Sequence, residues 1–169
     1  MCKPIAFFDR DGVLNTDKGY VYKPKDFEWI NGSIKTIKYL NDKDYLVIVV
    51  TNQAGIGRGY YEESDVNKLH KFMNLELLKH NALINYFFYS PYHPDGINQN
   101  YKSLAYLRKP ETGMLELASK KWGIDKSKSF MVGDMPHDIK CARKFGIESF
   151  LFNEKNLFDF LIPKLKTVA

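Results

Sequence analysis

Acids stand at the ends of apolar runs in this sequence. Asp9 and Asp11 follow IAFF, Gly133 and Asp134 follow SFMV, and Thr51, Asn52 and Gln53 follow YLVIVV. Lys109, in RKP ahead of a helical pattern, can reach the same edge from its loop. Three acids, a hydroxyl and a lysine gathered there suit a divalent cation and a phosphate. A carboxylate attacking a phosphate ester meets Coulomb repulsion, which oxygen-ligated Mg2+ and an ammonium group relieve. A second acid must protonate the departing alkoxide, a poor leaving group near neutral pH. Asp9 as nucleophile and Asp11 as general acid, then general base, fill those roles. Two residues apart on an extended chain, their side chains share one side.

Such a set needs a scaffold that ends several strands at one edge. IAFF (5–8), YLVIVV (45–50), YFFY (86–89), SFMV (129–132) and SFLF (149–152) are short, β-rich and continuously apolar, as strands covered on both faces are. Between them Ile34, Ile37 and Leu40 share a helical face, as do Val66, Leu69, Met73 and Leu77, then Leu115, Ala118 and Trp122. Pro110 and Gly123 bracket one helical pattern and Pro136 and Gly146 the next. The alternation predicts right-handed crossovers and an α/β fold: an open, mostly parallel, Rossmann-like sheet with helices on both faces. Its site should lie at the carboxyl ends of the strands. With no repeat, low-complexity tract or linker, residues 1–169 are expected to form a single domain.

Composition narrows the classes. No apolar run approaches membrane-spanning length, and the start MCKPIAFFDRDG lacks the features of a signal peptide, so a soluble cytoplasmic protein is expected, with no membrane partner. Cys2 and Cys141 stand outside any CxxC pair, which fits reduced thiols better than a disulfide framework or a cysteine zinc site. The net charge of +5 is spread along the chain instead of forming one basic block, a pattern that suits a small anionic substrate and no nucleic acid. A non-catalytic basic binding module is the alternative of another class; against it, Asp9, Asp11 and Asp134 would repel phosphates without a metal.

DRDGVLN, VTNQAG, RKP and VGDMPHDI resemble the four motifs of the haloacid dehalogenase superfamily of phosphatases. The resemblance implies that Asp9 is the phosphorylated nucleophile and Asp11 the acid/base, that Thr51 and Lys109 stabilise the phosphoryl group, and that Asp134 and the main-chain carbonyl of Asp11 join Asp9 on Mg2+. Asp138 would orient the metal shell. Over nearly the whole chain the likeness narrows to the group of D,D-heptose 1,7-bisphosphate phosphatases and histidinol phosphatases. The GYV loop within 15–33, the GIGRG stretch within 51–61 and Arg108 before Lys109 favour the heptose member, whose substrate, a heptose bisphosphate, loses its C7 phosphate in nucleotide-heptose synthesis for surface polysaccharide. Few residues separate the motifs, so the fold should be capless, with short loops selecting a sugar phosphate. Asp17, Gly19, Tyr20, Asn52, Gln53, Ala54 and Arg108 are the substrate-contact candidates, an arginine suiting a second phosphate. Histidinol phosphate is the alternative substrate, and a monomer is expected.

Two positions depart from that group. Its members usually carry a zinc loop, Cys-Pro-x-His followed by Cys-x-Cys, where this chain reads SPYHP (90–94) and AYLRK (105–109). Ser90, Ala105 and Leu107 occupy its cysteine positions, and His93 alone cannot make a tetrahedral site, so no structural zinc is expected; Tyr92, Leu107 and Tyr106 would replace the metal by apolar packing. Met135 stands where the heptose relatives often place a substrate-contacting lysine. Of the remaining polar residues, His70, His80 and His137 share no ligand spacing and are expected at the surface or at helix ends. Gly55, Gly57 and Gly59 suit a phosphate cradle and an ordinary flexible loop equally.

Overall fold

The computed structural model describes residues 2–168. Its centre is a five-stranded, all-parallel sheet: β1 (Ile5–Phe8), β2 (Leu46–Asn52), β3 (Tyr86–Ser90), β4 (Phe130–Gly133) and β5 (Glu148–Leu151), in the order β3-β2-β1-β4-β5. The helices are α1 (Ser33–Asp42), the single turn α2 (Ala54–Gly57), α3 (Glu63–Leu78), α4 (Gly113–Trp122), α5 (Pro136–Phe145) and α6 (Leu157–Val168). A 3-10 segment, Gln99–Leu107, precedes α4.

The two-residue period of β1 divides the core. Ala6 and Phe8 pack with Ile37 and Leu40 of α1, Met73 and Leu77 of α3, and Leu157, Phe160 and Leu161 of α6. Ile5 and Phe7 pack on the opposite face with Met114, Leu115 and Ala118 of α4 and Cys141, Ala142 and Phe145 of α5. Covered on both faces, all four residues of β1 are inaccessible to solvent. The outer strands differ: β3 and β5 are partly exposed, because an edge strand has a neighbour on one side only. α6 lies beyond the last element legible from periodicity, with Pro163 inside it masking the helical pattern.

Strands on one side of β1 are reached through α1 and α3, and those on the other through α4 and α5, so the winding reverses between β1 and β4. At such a switch point the carboxyl ends of two neighbouring strands open a crevice. Asp9 leaves β1 and Asp134 leaves β4 there.

Candidate active site

The ladder runs one residue past β1, where the Asp9 amide donates to the Val132 carbonyl at 3.0 Å. This fixes the backbone of Asp9, whose side chain is nearly buried and accepts from the Arg10 amide at 2.8 Å. Lys109 meets it from below. Its ammonium forms ion pairs with Asp9 Oδ1 at 3.0 Å and Asp138 Oδ1 at 2.7 Å, and donates to the Val50 carbonyl at 2.8 Å. A reciprocal pair holds the lysine's loop to the end of β2: the Lys109 amide donates to Asn52 Oδ1 at 3.0 Å, and Asn52 Nδ2 to the Lys109 carbonyl at 3.2 Å.

Asp138, in the first turn of α5, accepts on Oδ2 from the amides of Asp134 (3.2 Å) and Met135 (3.1 Å), closing the helix start. Gly133 lets the chain pass this close, since a Cβ there would collide with the Asp138 side chain; Gly12, at φ +84°, leaves the room that the Asp134 carboxylate occupies.

Carboxylate oxygens of Asp9, Asp134 and Asp138 lie within 4.8 Å of one another, and Asp134 Oδ1 is buried without a hydrogen-bond donor. When all three are ionised, three carboxylates face one ammonium, an excess of negative charge. Burial pushes the Asp9 carboxyl well up, Lys109 opposing it and Asp138, Asp11 and Asp134 adding repulsion; burial likewise raises Asp134. An all-oxygen, acceptor-only cluster with an orphaned oxygen fits a hard divalent cation such as Mg2+.

Asp11 is held differently. Arg10 Nη2 forks onto it at 3.0 and 3.1 Å and also donates to the Val21 carbonyl, while Asn15 Nδ2 donates to Oδ1 and Gln53 Nε2 to Oδ2, each at 3.0 Å. Gln53 donates as well to Thr51 Oγ1 at 2.8 Å and accepts the Tyr61 hydroxyl at 2.6 Å. Behind Arg10 stands His70, its Nε2 3.2 Å from Nη1. The expectation of a surface or helix-end His70 is therefore corrected: it is buried on the inner face of α3 and stacked on Phe87. Burial, then the Arg10 charge, holds its pKa well below the usual histidine range. Its spacing from Val66, Leu69, Met73 and Leu77 on one helical stripe was the available signal.

A cavity of about 330 Å³ opens over both acids, lined by Asp9, Asp11, Asp17, Gly19, Tyr20, Asn52, Gln53, Ala54, Tyr61, Asp134, Met135 and His137. It brings together the substrate-contact candidates of the 17–20 and 52–54 loops. Thr51 and Lys109 are buried beneath it. Arg108 is outside the lining, Nη1 donating to the Tyr92 carbonyl at 3.4 Å. Tyr61 and His137 enter the lining although sequence reasoning passed over both; His137 is a helix-end residue as expected, but turned toward the site, Nε2 3.6 Å from Asp138 Oδ1. His80 is exposed. In the loop after β3, Arg58 Nη2 donates to His93 Nε2 at 3.0 Å. Leu107 packs into the core beside α4, whereas Tyr106, expected to help fill the loop, is half exposed.

A family model described as polynucleotide kinase 3 phosphatase matches residues 4–164. A curated Haemophilus ducreyi protein named D-glycero-beta-D-manno-heptose-1,7-bisphosphate 7-phosphatase is 39% identical over 150 residues, 88% of this chain and 82% of that one. A Photorhabdus laumondii protein named for the alpha anomer is 41% identical over 143 residues, 85% of this chain and 78% of that one. Among solved structures, a D,D-heptose 1,7-bisphosphate phosphatase from B. bronchiseptica, complexed with magnesium and phosphate, superposes with a TM-score of 0.79 at 27% identity, covering 95% of this chain and 86% of that one.

Proposed function

The chain belongs to the polynucleotide kinase 3 phosphatase family, and from that membership we propose that it is a magnesium-dependent phosphomonoesterase of the haloacid dehalogenase type, removing the C7 phosphate of a D-glycero-D-manno-heptose 1,7-bisphosphate. One observation carries the reading: a nearly buried carboxylate, Asp9, is ion-paired with a buried lysine and lies beside a further acid with an orphaned oxygen, directly under a cavity of about 330 Å³.

An Asp9 oxygen forms a bond to phosphorus as the bond from phosphorus to the sugar oxygen breaks, and Asp11 gives its proton to that departing oxygen. Water then attacks the aspartyl phosphate while Asp11 takes the proton back, which restores Asp9 and frees phosphate. Lys109 and Thr51 offset charge on the phosphoryl oxygens from below. Asp9, the Asp11 carbonyl and Asp134 would hold Mg2+, with Asp138 orienting its shell, and the cation would supply the remaining positive charge.

Asp17, Gly19, Tyr20, Asn52, Gln53 and Ala54 hold the sugar, and Arg108 reaches the second phosphate. The site is complete within one chain of a single, capless domain, which supports action as a monomer. Among the described residues no helix is long and apolar enough to cross a membrane, consistent with a cytoplasmic enzyme. The 90–107 loop is read as zinc-free, since His93 is engaged by Arg58 and no cysteine stands at its ligand positions; about one tightly held zinc per chain on metal analysis would end that part of the reading.

The relatives are named for both anomers, so the test must offer both. Phosphate release with Mg2+ is measured from each heptose bisphosphate, from histidinol phosphate and from a 3′-phosphorylated oligonucleotide, the last because of the family's name. The expected result is clear preference for a heptose bisphosphate; preference for either of the other two overturns the substrate, and release from none overturns the activity.

A further inference from the structure

Arg10 is a charged side chain with no solvent exposure, and the chemistry above gives it no bond to make or break. A guanidinium is planar, so a contact on one of its nitrogens sets the angle at which the other meets its partner. Here Nη2 forks onto the Asp11 carboxylate and Nη1 is spent on His70 Nε2. Arginine can only donate, so Nε2 must present a lone pair, and the imidazole is neutral. The ring itself is fixed: 5% exposed, and stacked on Phe87 with centroids 4.3 Å apart and planes 13° from parallel. A residue serving only to fill this space on α3 would be apolar; histidine adds one acceptor, aimed at one nitrogen.

We propose that His70 is a positioning residue for proton transfer, setting the plane of Arg10 and through it the direction in which the Asp11 carboxylate faces the leaving oxygen. This rests on the reading of Asp11 as acid and base. Without the His70 acceptor, Nη1 is a buried donor lacking a partner, and Arg10 Nε already has none. The guanidinium then rotates to find one and takes Asp11 with it.

Leaving-group dependence separates this role from a merely structural one. An alkyl phosphate needs a positioned proton donor, whereas p-nitrophenolate departs without one, so kcat/KM for p-nitrophenyl phosphate reports attack by Asp9 without the acid. His70→Leu should lose roughly tenfold to a hundredfold in kcat/KM on the heptose bisphosphate, part of what positioned acid–base catalysis supplies, with KM nearly unchanged and p-nitrophenyl phosphate spared. His70→Gln, whose amide oxygen reaches the Nε2 position, should restore most of the loss. If His70→Leu does not fold, His70→Asn, whose amide stops short of that position, replaces it against His70→Gln. Equal loss on both esters, no loss on either, or no recovery with glutamine overturns the inference. Asp9→Asn serves as the control: full activity there, or a wild type inert on both esters, refutes the catalytic reading itself, and the inference falls with it.

Discussion

Two carboxylates two residues apart are each paired with a buried cation, yet the pairs are built to opposite ends. Around Asp9, Lys109 is outnumbered: Asp138 shares its ammonium and Asp134 adds a further acid with an oxygen lacking any donor. Around Asp11, one carboxylate meets one guanidinium, and three neutral groups, Asn15, Gln53 and His70, add hydrogen bonds to the pair. When ionised, the first half carries an excess of negative charge that protonation or a bound cation would relieve; the second is balanced by its own residues. In the proposed mechanism metal dependence would belong to the Asp9 half, and the Asp11 half should keep its arrangement with or without Mg2+.

The largest effect that tests this contrast comes from Asp9→Asn. On the proposed role of Asp9 as nucleophile, Mg2+-dependent phosphate release should fall by about 10⁴-fold or more. Stability should not fall with it, because the substitution removes a carboxyl that burial already disfavours as an ion. Urea unfolding in chelator should give a midpoint equal to or above wild type, and a clear decrease would mean that the Asp9 half is not over-charged. Lys109→Met comes next. It strands Asp9 and Asp138 without their ammonium, and the loss of one partner from a buried ionic group costs about 3–5 kcal/mol; phosphate release should also disappear. A loss under about 1 kcal/mol would show that Lys109 is not the group neutralising this half.

How far each half can be read from the sequence follows from the same contrast. Asp9 and Asp134 sit immediately beyond a strand, Asp138 at a helix start and Lys109 in the loop ahead of α4, so contiguous motifs place them. The parallel sheet is legible for the same reason, and β1 to β5 begin and end within a few residues of their apolar runs. The Asp11 half is assembled across distance. His70 is 60 residues from Arg10, and on α3 it occupies the apolar stripe, where a histidine gives no outward sign of its partner. Tyr61 reaches Gln53 from beyond α2 by a turn that no periodicity encodes. α6, with its internal Pro163, was hidden by local propensity that packing against α1 overrides.

A subtler separation uses pH and metal together. The folded Asp9 and Asp134 carboxyls titrate above their unfolded values, near 4. Groups raised in this way contribute stability that is fully present below the unfolded pKa and is lost as pH rises through the folded one. In chelator, their contribution should therefore decline as pH rises above the unfolded values. Mg2+ binds the ionised form, so the stabilisation it adds should grow over the same window, reaching about 2.7 kcal/mol at neutral pH when Mg2+ is 100-fold above its Kd. Unfolding free energies with and without Mg2+ at pH 5 and pH 7 measure it. An increment equal at both would mean that these carboxyls are not what the cation meets.

The smallest effect is the one that opposes the two halves most directly. Asp11→Asn should abolish proton transfer as Asp9→Asn abolishes attack, so activity alone cannot tell the halves apart; stability can. The Asp11 side chain is 22% exposed but its partner Arg10 is at 0%, so neutralising Asp11 leaves a buried guanidinium with a weaker acceptor. Hydrogen bonds to a charged group contribute about 1.5–3 kcal/mol, and an asparagine oxygen retains part of one, so a loss of about 1–2 kcal/mol is expected. The loss should be the same in chelator and in Mg2+, since the balance being broken does not involve the cation. Asp9→Asn and Asp11→Asn would then shift the urea midpoint in opposite directions or, at the least, only the second would lower it. If both lower it equally, the charge excess assigned to the Asp9 half is already compensated by the protein, and the cation serves chemistry without serving the fold.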